Sequence, residues 1–175
     1  MAYFTAVLTP DGDGWRSVDV DLEAGSPEEL GDVLRGAVGD DAAVLAVLER
    51  EDEWFAFVRT DGDDTRVFVS DAVAAADSSY AELFAELPPA AEVPPPGDGD
   101  GGADDEDGPD DDERSSGAVQ GLGEAVWAGD PELLADLGCP ATTITRLAVS
   151  GPDPSTATVE VGELLGFAEV LEALR

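Results

Sequence analysis

The tightest constraint on how this chain can fold is a pair of short runs that are apolar on both faces. In Trp54 to Arg59, Trp54, Ala56 and Val58 fall on one side of a strand and Phe55 and Phe57 on the other, while Ala43 to Leu48 is apolar throughout. Successive strand side chains point to opposite faces, so a sheet with one wet side would carry polar residues at every second position. These two strands therefore need cover on both sides. Either C-terminal helices supply the second layer, or another subunit or partner does. Phe55 and Phe57, with Phe68 from the following run, are the candidates for that partner or interdomain face, and whether Phe68 joins the other two depends on strand register.

The neighbouring segments say what else joins the sheet. Tyr3 to Leu8 alternates with a period of two, and Arg16 to Leu22 sets Val18, Val20 and Leu22 against Ser17, Asp19 and Asp21. Between them, Asp11-Gly12-Asp13-Gly14 is hairpin-turn chemistry. Ser26-Pro27-Glu28-Glu29 then opens a helix, with a capping Ser, Pro at the first helical position and Glu three residues after the cap. Leu30, Leu34 and Val38 follow as its apolar stripe, and Gly39 is placed to stop it. Arg66 to Ser70 is a further strand, joined to its predecessor by the short polar stretch Thr60 to Thr65. Asp71 to Ala76 can open a helix, and Tyr80, Leu83, Phe84 and Leu87 mark an amphipathic one. The order β-β-α-β-β-β-α predicts an α+β domain over residues 1–87, with a mostly antiparallel sheet and its helices on one face.

Composition then shifts. Residues 88–116 hold eleven acids, one Arg and a single aliphatic side chain larger than Ala, Val93. Such a segment buries too little apolar surface to offset its chain entropy, and it is expected to be a disordered acidic linker. Residues 117–175 read as a small helical segment. Val119, Leu122 and Val126 share one face, Asp130-Pro131-Glu132 caps a short helix containing Leu133, Leu134 and Leu137, and Leu164, Ala168, Leu171 and Leu174 make a terminal amphipathic helix. The stretch Ala141 to Val161 is ambiguous between helix and strand.

Charge and missing residue types exclude whole classes of function. The chain carries 41 acids against 8 cations, all of them Arg, for a net charge of −33. The linker is not the whole cause: residues 1–87 hold 21 acids against 5 Arg and residues 117–175 hold 9 against 2. Nucleic-acid affinity comes largely from Lys and Arg displacing phosphate counterions, so direct binding to nucleic acid is not expected. Anionic membrane surfaces are repelled for the same reason. No stretch is apolar for the ~20 residues a spanning helix needs, the N-terminus lacks the basic start of a signal peptide, and a cytoplasmic protein is expected.

There is no His, which closes imidazole base catalysis and His metal ligation. The lone Cys139 has no disulfide partner and no imidazole to activate it. Counted from Asp98, a calcium loop fails because Ala103 stands where Gly is needed and Pro109 where Glu is needed. Gly97 to Gly102 lacks the Lys-Ser/Thr of a phosphate loop. No catalytic residue, cofactor site or metal site is assigned.

Five collinear blocks bring a family into view: Met1 to Leu8, Asp52-Glu53-Trp54-Phe55, Arg66 to Ala72, Pro131 to Gly138, and Gly166-Phe167-Ala168-Glu169. Together they resemble the actinobacterial tRNA adenosine deaminase-associated proteins, from end to end apart from the linker. That family takes its name from genes beside the tRNA adenosine deaminase, which makes inosine at the wobble position. The chain is not the deaminase itself: that enzyme needs His-x-Glu and Pro-Cys-x-x-Cys around a zinc, whereas here Cys139 precedes a Pro. The resemblance implies a non-catalytic accessory protein whose partner is the deaminase, acting through protein contact. The alternatives are an acidic mimic of nucleic acid that inhibits a tRNA-binding enzyme, and a protein linked to the deaminase by gene neighbourhood only.

Overall fold

The computed structural model describes residues 3–22, 25–39, 42–90, 126–150 and 152–175. Six antiparallel strands form one sheet: β1 (Tyr3–Asp11), β2 (Gly14–Val18), β3 (Val44–Arg50), β4 (Trp54–Asp61), β5 (Asp64–Val69) and β6 (Ala128–Gly129), in the order β2-β1-β3-β4-β5-β6. Two tight turns set its hairpins. Asp11 pairs with Gly14 and Asp61 with Asp64, and the glycines in the turns, Gly12 and Gly62, have φ near +60°, a conformation Gly adopts without Cβ strain.

On one face lie Val7, Ala46, Leu48, Trp54, Ala56, Val58, Val67 and Val69, covered by α1 (Pro27–Val38) and two single-turn helices, α2 (Ala72–Ala75) and α3 (Ala81–Phe84). The start of α1 is as its sequence predicts: Ser26 Oγ accepts from the Glu29 amide at 3.2 Å, and the Glu29 carboxylate accepts from the Gly25 amide at 2.9 Å. Gly39 ends it with φ +113°.

The opposite face presents Ala6, Leu8, Leu45, Val47, Phe55, Phe57 and Phe68. It packs against residues of the C-terminal segment, including Leu133, Leu134, Ile144, Leu147, Ala157, Val161, Phe167 and Leu171. The C-terminal helices are therefore the second cover that the two-sided strands require. They are α4 (Ala141–Ser150), α5 (Pro154–Leu165) and α6 (Ala168–Leu174).

Several sequence expectations are corrected in detail. The ambiguous stretch is helical over Ala141–Ser150 and again from Pro154, where Asp153-Pro154 repeats the cap-and-proline start of α1: Asp153 Oδ1 accepts from the Thr156 amide at 3.1 Å. The terminal helix divides at Gly166, φ +84°, which lets Phe167 turn into the core and stack edge-on against Trp15 at 5.6 Å. In place of the short α-helix after Asp130 there is one 3-10 turn, Ala135–Leu137. The Leu133 carbonyl, which an α-helix would offer to the Leu137 amide, accepts instead from Arg59, and the Leu137 amide bonds Leu134. The second strand stops at Val18, four residues short of the expectation, as the chain leaves the ladder to place Leu22 with the α1 layer.

Of residues 88–116, positions 91–116 lie outside the described residues, as do positions 119–125 of the helix expected around Val119 and Leu122. Pro88 to Ala90 are ordered partners of the sheet: Gly129 donates to Pro88 O at 2.9 Å and Ala90 donates to Trp127 O at 3.2 Å. Strand β6 carries no periodic signal of its own and has only two residues.

Candidate functional site

The three phenylalanines singled out by the sequence come together, and they are interior. Phe57 and Phe68 are register partners on adjacent strands, so all three rings share the face beneath the C-terminal helices. Phe55 lies 5.7 Å from Phe57 and 6.3 Å from Phe68, centroid to centroid, and Trp127 lies 5.6 Å beyond Phe68. At 2 % exposure or less, none of them reaches solvent.

Two charged clusters stitch the C-terminal segment to the sheet. Arg59, on β4, donates to Leu133 O at 2.8 Å, to both carboxylate oxygens of Asp136 and to Asp61 at 3.1 Å. The guanidinium holds the Asp136 carboxyl below its usual range. Arg66 joins Asp64 at 3.0 Å, and a cavity lined by both arginines also carries Asp61, Glu132 and Asp136, so its cations are more than matched by acids.

On the far side, Glu49 of β3 is buried, and its carboxylate accepts from the Thr158 hydroxyl of α5 and from Arg175 at 2.6 Å. Burial outweighs both bonds and raises its pKa. The Arg175 guanidinium also lies 5.1 Å from the Phe4 ring centroid. Cys139 is buried, and desolvation pushes its thiol up to about 11. Among the described residues, no group of three or more Cys, Asp or Glu side chains is arranged to hold a metal ion. None of the described helices is long and apolar enough to cross a membrane.

An apolar concavity lies elsewhere. A groove of ≈ 680 Å³ runs between α2, α3, Pro89 and the Val126–Ala128 segment. Phe84, Leu87 and Trp127 line it, five alanines smooth it, and Glu82 is its one charged lining residue. Val73 and Val126, two of the exposed large aliphatic side chains, both face it. The Ala72 amide donates to Val126 O at 2.8 Å and ties the two walls together.

A family model for the Rv3753c-like tRNA adenosine deaminase-associated protein matches residues 3–168. The chain belongs to this family. The match spans both layers of the fold, from β1 to the first residue of α6. Among curated proteins and among solved structures, no match is found. The family is described as associated with the deaminase, not as the deaminase.

For a member of a deaminase-associated family, the groove is the feature that sequence reasoning missed. Its walls come from residues 72–89 and 126–128, and each wall taken alone looks like ordinary amphipathic chain. The one available signal was Trp127, a large apolar side chain between an acid-rich segment and the turn at Asp130.

Proposed function

We propose that this protein is a non-catalytic accessory of tRNA adenosine deaminase that acts by direct protein contact. The observation that carries the reading is the division of charge in the folded part. Arg35, Arg50, Arg59, Arg66, Arg146 and Arg175 each pair with a carboxylate of the same chain. Six of the seven arginines among the described residues are therefore occupied internally, which leaves the excess of acids uncompensated. A surface of this kind suits a basic tRNA-binding enzyme and speeds encounter with it. The family description and the lack of His support the same reading.

The test is co-purification of the full chain with the deaminase at low and at high salt, followed by the enzyme's activity on tRNA with the protein added. Co-elution that weakens with salt, with deamination maintained, is the expected result. Co-elution at neither salt concentration overturns physical partnership. An acidic mimic would instead lower deamination and release it when tRNA is in excess, and a link through gene neighbourhood alone would leave wobble inosine normal in a deletion strain.

A further inference from the structure

We infer that the groove between α2, α3 and β6 is the docking site of the chain's own residues 117–125, with Val119 and Leu122 seated on its floor. The inference goes beyond the accessory reading and stands without the deaminase.

The route of the chain carries it. Pro89 and Val126 both line the groove, Ala90 donates to Trp127 O at 3.2 Å, and Pro89 bridges Ala128. The stretch 91–125 therefore leaves from the groove and returns to it. Leu122 stands four residues before Val126, so even a fully extended chain keeps it within about 14 Å of that wall. A tether this short gives an effective concentration on the order of millimolar. A separate partner reaches the groove only in competition with it.

The pattern of the segment matches the surface. Val119, Leu122 and Val126 recur at i, i+3 and i+7, the spacing of one helix face. Val126, at the described end of that stripe, is 40 % exposed and lines the groove, as does Val73 at 69 %. Exposed aliphatics gathered in one concavity gain by being covered, and a stripe that runs on from the wall itself is the nearest apolar surface to do so. Gly117, Gly121 and Gly123 each cost a helix about 1 kcal/mol against Ala, so a helix here needs a surface to pack on.

Charge separates this segment from the residues before it. Residues 91–116 hold eleven acids and one Arg, whereas Glu124 is the one charged residue of 117–125. The groove likewise has one charged lining residue, Glu82. An almost uncharged stripe enters an apolar trough without burying unpaired charge, which the acid-rich stretch cannot do. A second copy has to approach against a net charge of −33 on each chain, a cost that the tethered segment does not carry.

The experiment places Val73→Cys in the full chain together with either Leu122→Cys or Gln120→Cys and follows disulfide closure under a mild oxidant. Gln120 lies off the stripe, and its tether to Val126 is two residues longer, worth about twofold in rate. Cys139 is buried and stays out of the exchange. With the segment docked, the Leu122→Cys pair is expected to close at least about tenfold faster, within one chain. A ratio of about twofold or less means free collision and overturns the proposal. Disulfides between chains mean that a second copy fills the groove, with the same consequence.

Amide exchange gives a second reading that needs no added cysteine. Slow exchange at residues 72–85 in the free chain, made faster by Leu122→Asp with the melting curve otherwise intact, supports the proposal. Exchange that Leu122→Asp leaves unchanged overturns it. So does exchange that is fast in the free chain and slows only with the deaminase added, which assigns the groove to that partner.

Discussion

Arg59 and Asp136 are 77 positions apart in sequence, and their side chains meet in a two-pronged ion pair, with Nη2 to Oδ2 at 2.8 Å. One side of the pair is nearly buried and the other is 59 % exposed. The buried guanidinium needs its partners; the exposed carboxylate is partly served by water. Asp136→Ala is therefore expected to cost about 1 kcal/mol, because Leu133 O and Asp61 still receive Arg59 and solvent screens the lost charge. Arg59→Ala removes the whole set of bonds and is expected to cost roughly 3 kcal/mol. Urea unfolding midpoints check both, and equal losses would contradict the asymmetry.

Gly31 on α1 sits close over the sheet. A Cβ there would lie 2.5 Å from Thr65 Oγ1 and 3.3 Å from Thr60 Cγ2. Gly→Ala inside a helix ordinarily stabilises by about 1 kcal/mol. Here Gly31→Ala is expected to destabilise, and to become neutral or stabilising once Thr65→Ala removes the obstructing hydroxyl. A double-mutant cycle measures the coupling, and additive effects would show that the helix can lift without cost.

Glu49 and Asp153 titrate in opposite directions. The Glu49 carboxyl lies above its ordinary value of 4.5, so the folded protein takes up this proton before the unfolded chain does as pH falls. Its contribution to stability is complete below pH 4.5 and is lost as pH rises through the raised value. Relative to Glu49→Gln, the wild type is expected to gain stability between pH 7 and pH 4.5 and to hold a constant offset below. Asp153, held at about 2 by Ser155 and Thr156, contributes above its ordinary 3.8 and is lost as pH falls through about 2. Thermal melts of Glu49→Gln and Asp153→Asn at fixed ionic strength separate the two windows.

Cys139 is fully buried with its thiol pushed up to about 11, so at pH 8 it is both inaccessible and protonated. A disulfide exchange reagent is expected to leave the native protein unlabelled and to label it fully in concentrated urea. Rapid labelling of the native state would mean that the C-terminal layer opens at low cost.

Legibility followed the range of the interaction. Ser26-Pro27-Glu28-Glu29 placed the start of α1 because a cap is made by neighbours within one turn. Asp11-Gly12-Asp13-Gly14 placed a hairpin for the same reason. The 3-10 turn after Asp130 was not legible, since Arg59 decides which amide the Leu133 carbonyl can serve. Phe55 and Phe57 are legible as one face of a strand, but the pairing of Phe57 with Phe68 needed a register that no local pattern encodes.

By itself the sequence determined that the central sheet is covered on both sides, because a period of two assigns each side chain to a face and both faces of β4 are apolar. It determined the excess of acids and the absence of imidazole chemistry, which are matters of count. Only the tertiary structure decided what provides the cover, where the arginines are neutralised, and that residues 72–89 and 126–128 enclose a groove. Apolar surface is attracted to any apolar surface of fitting shape, so periodicity states the need for a partner without naming it. The choice among partners is made by packing between segments far apart along the chain.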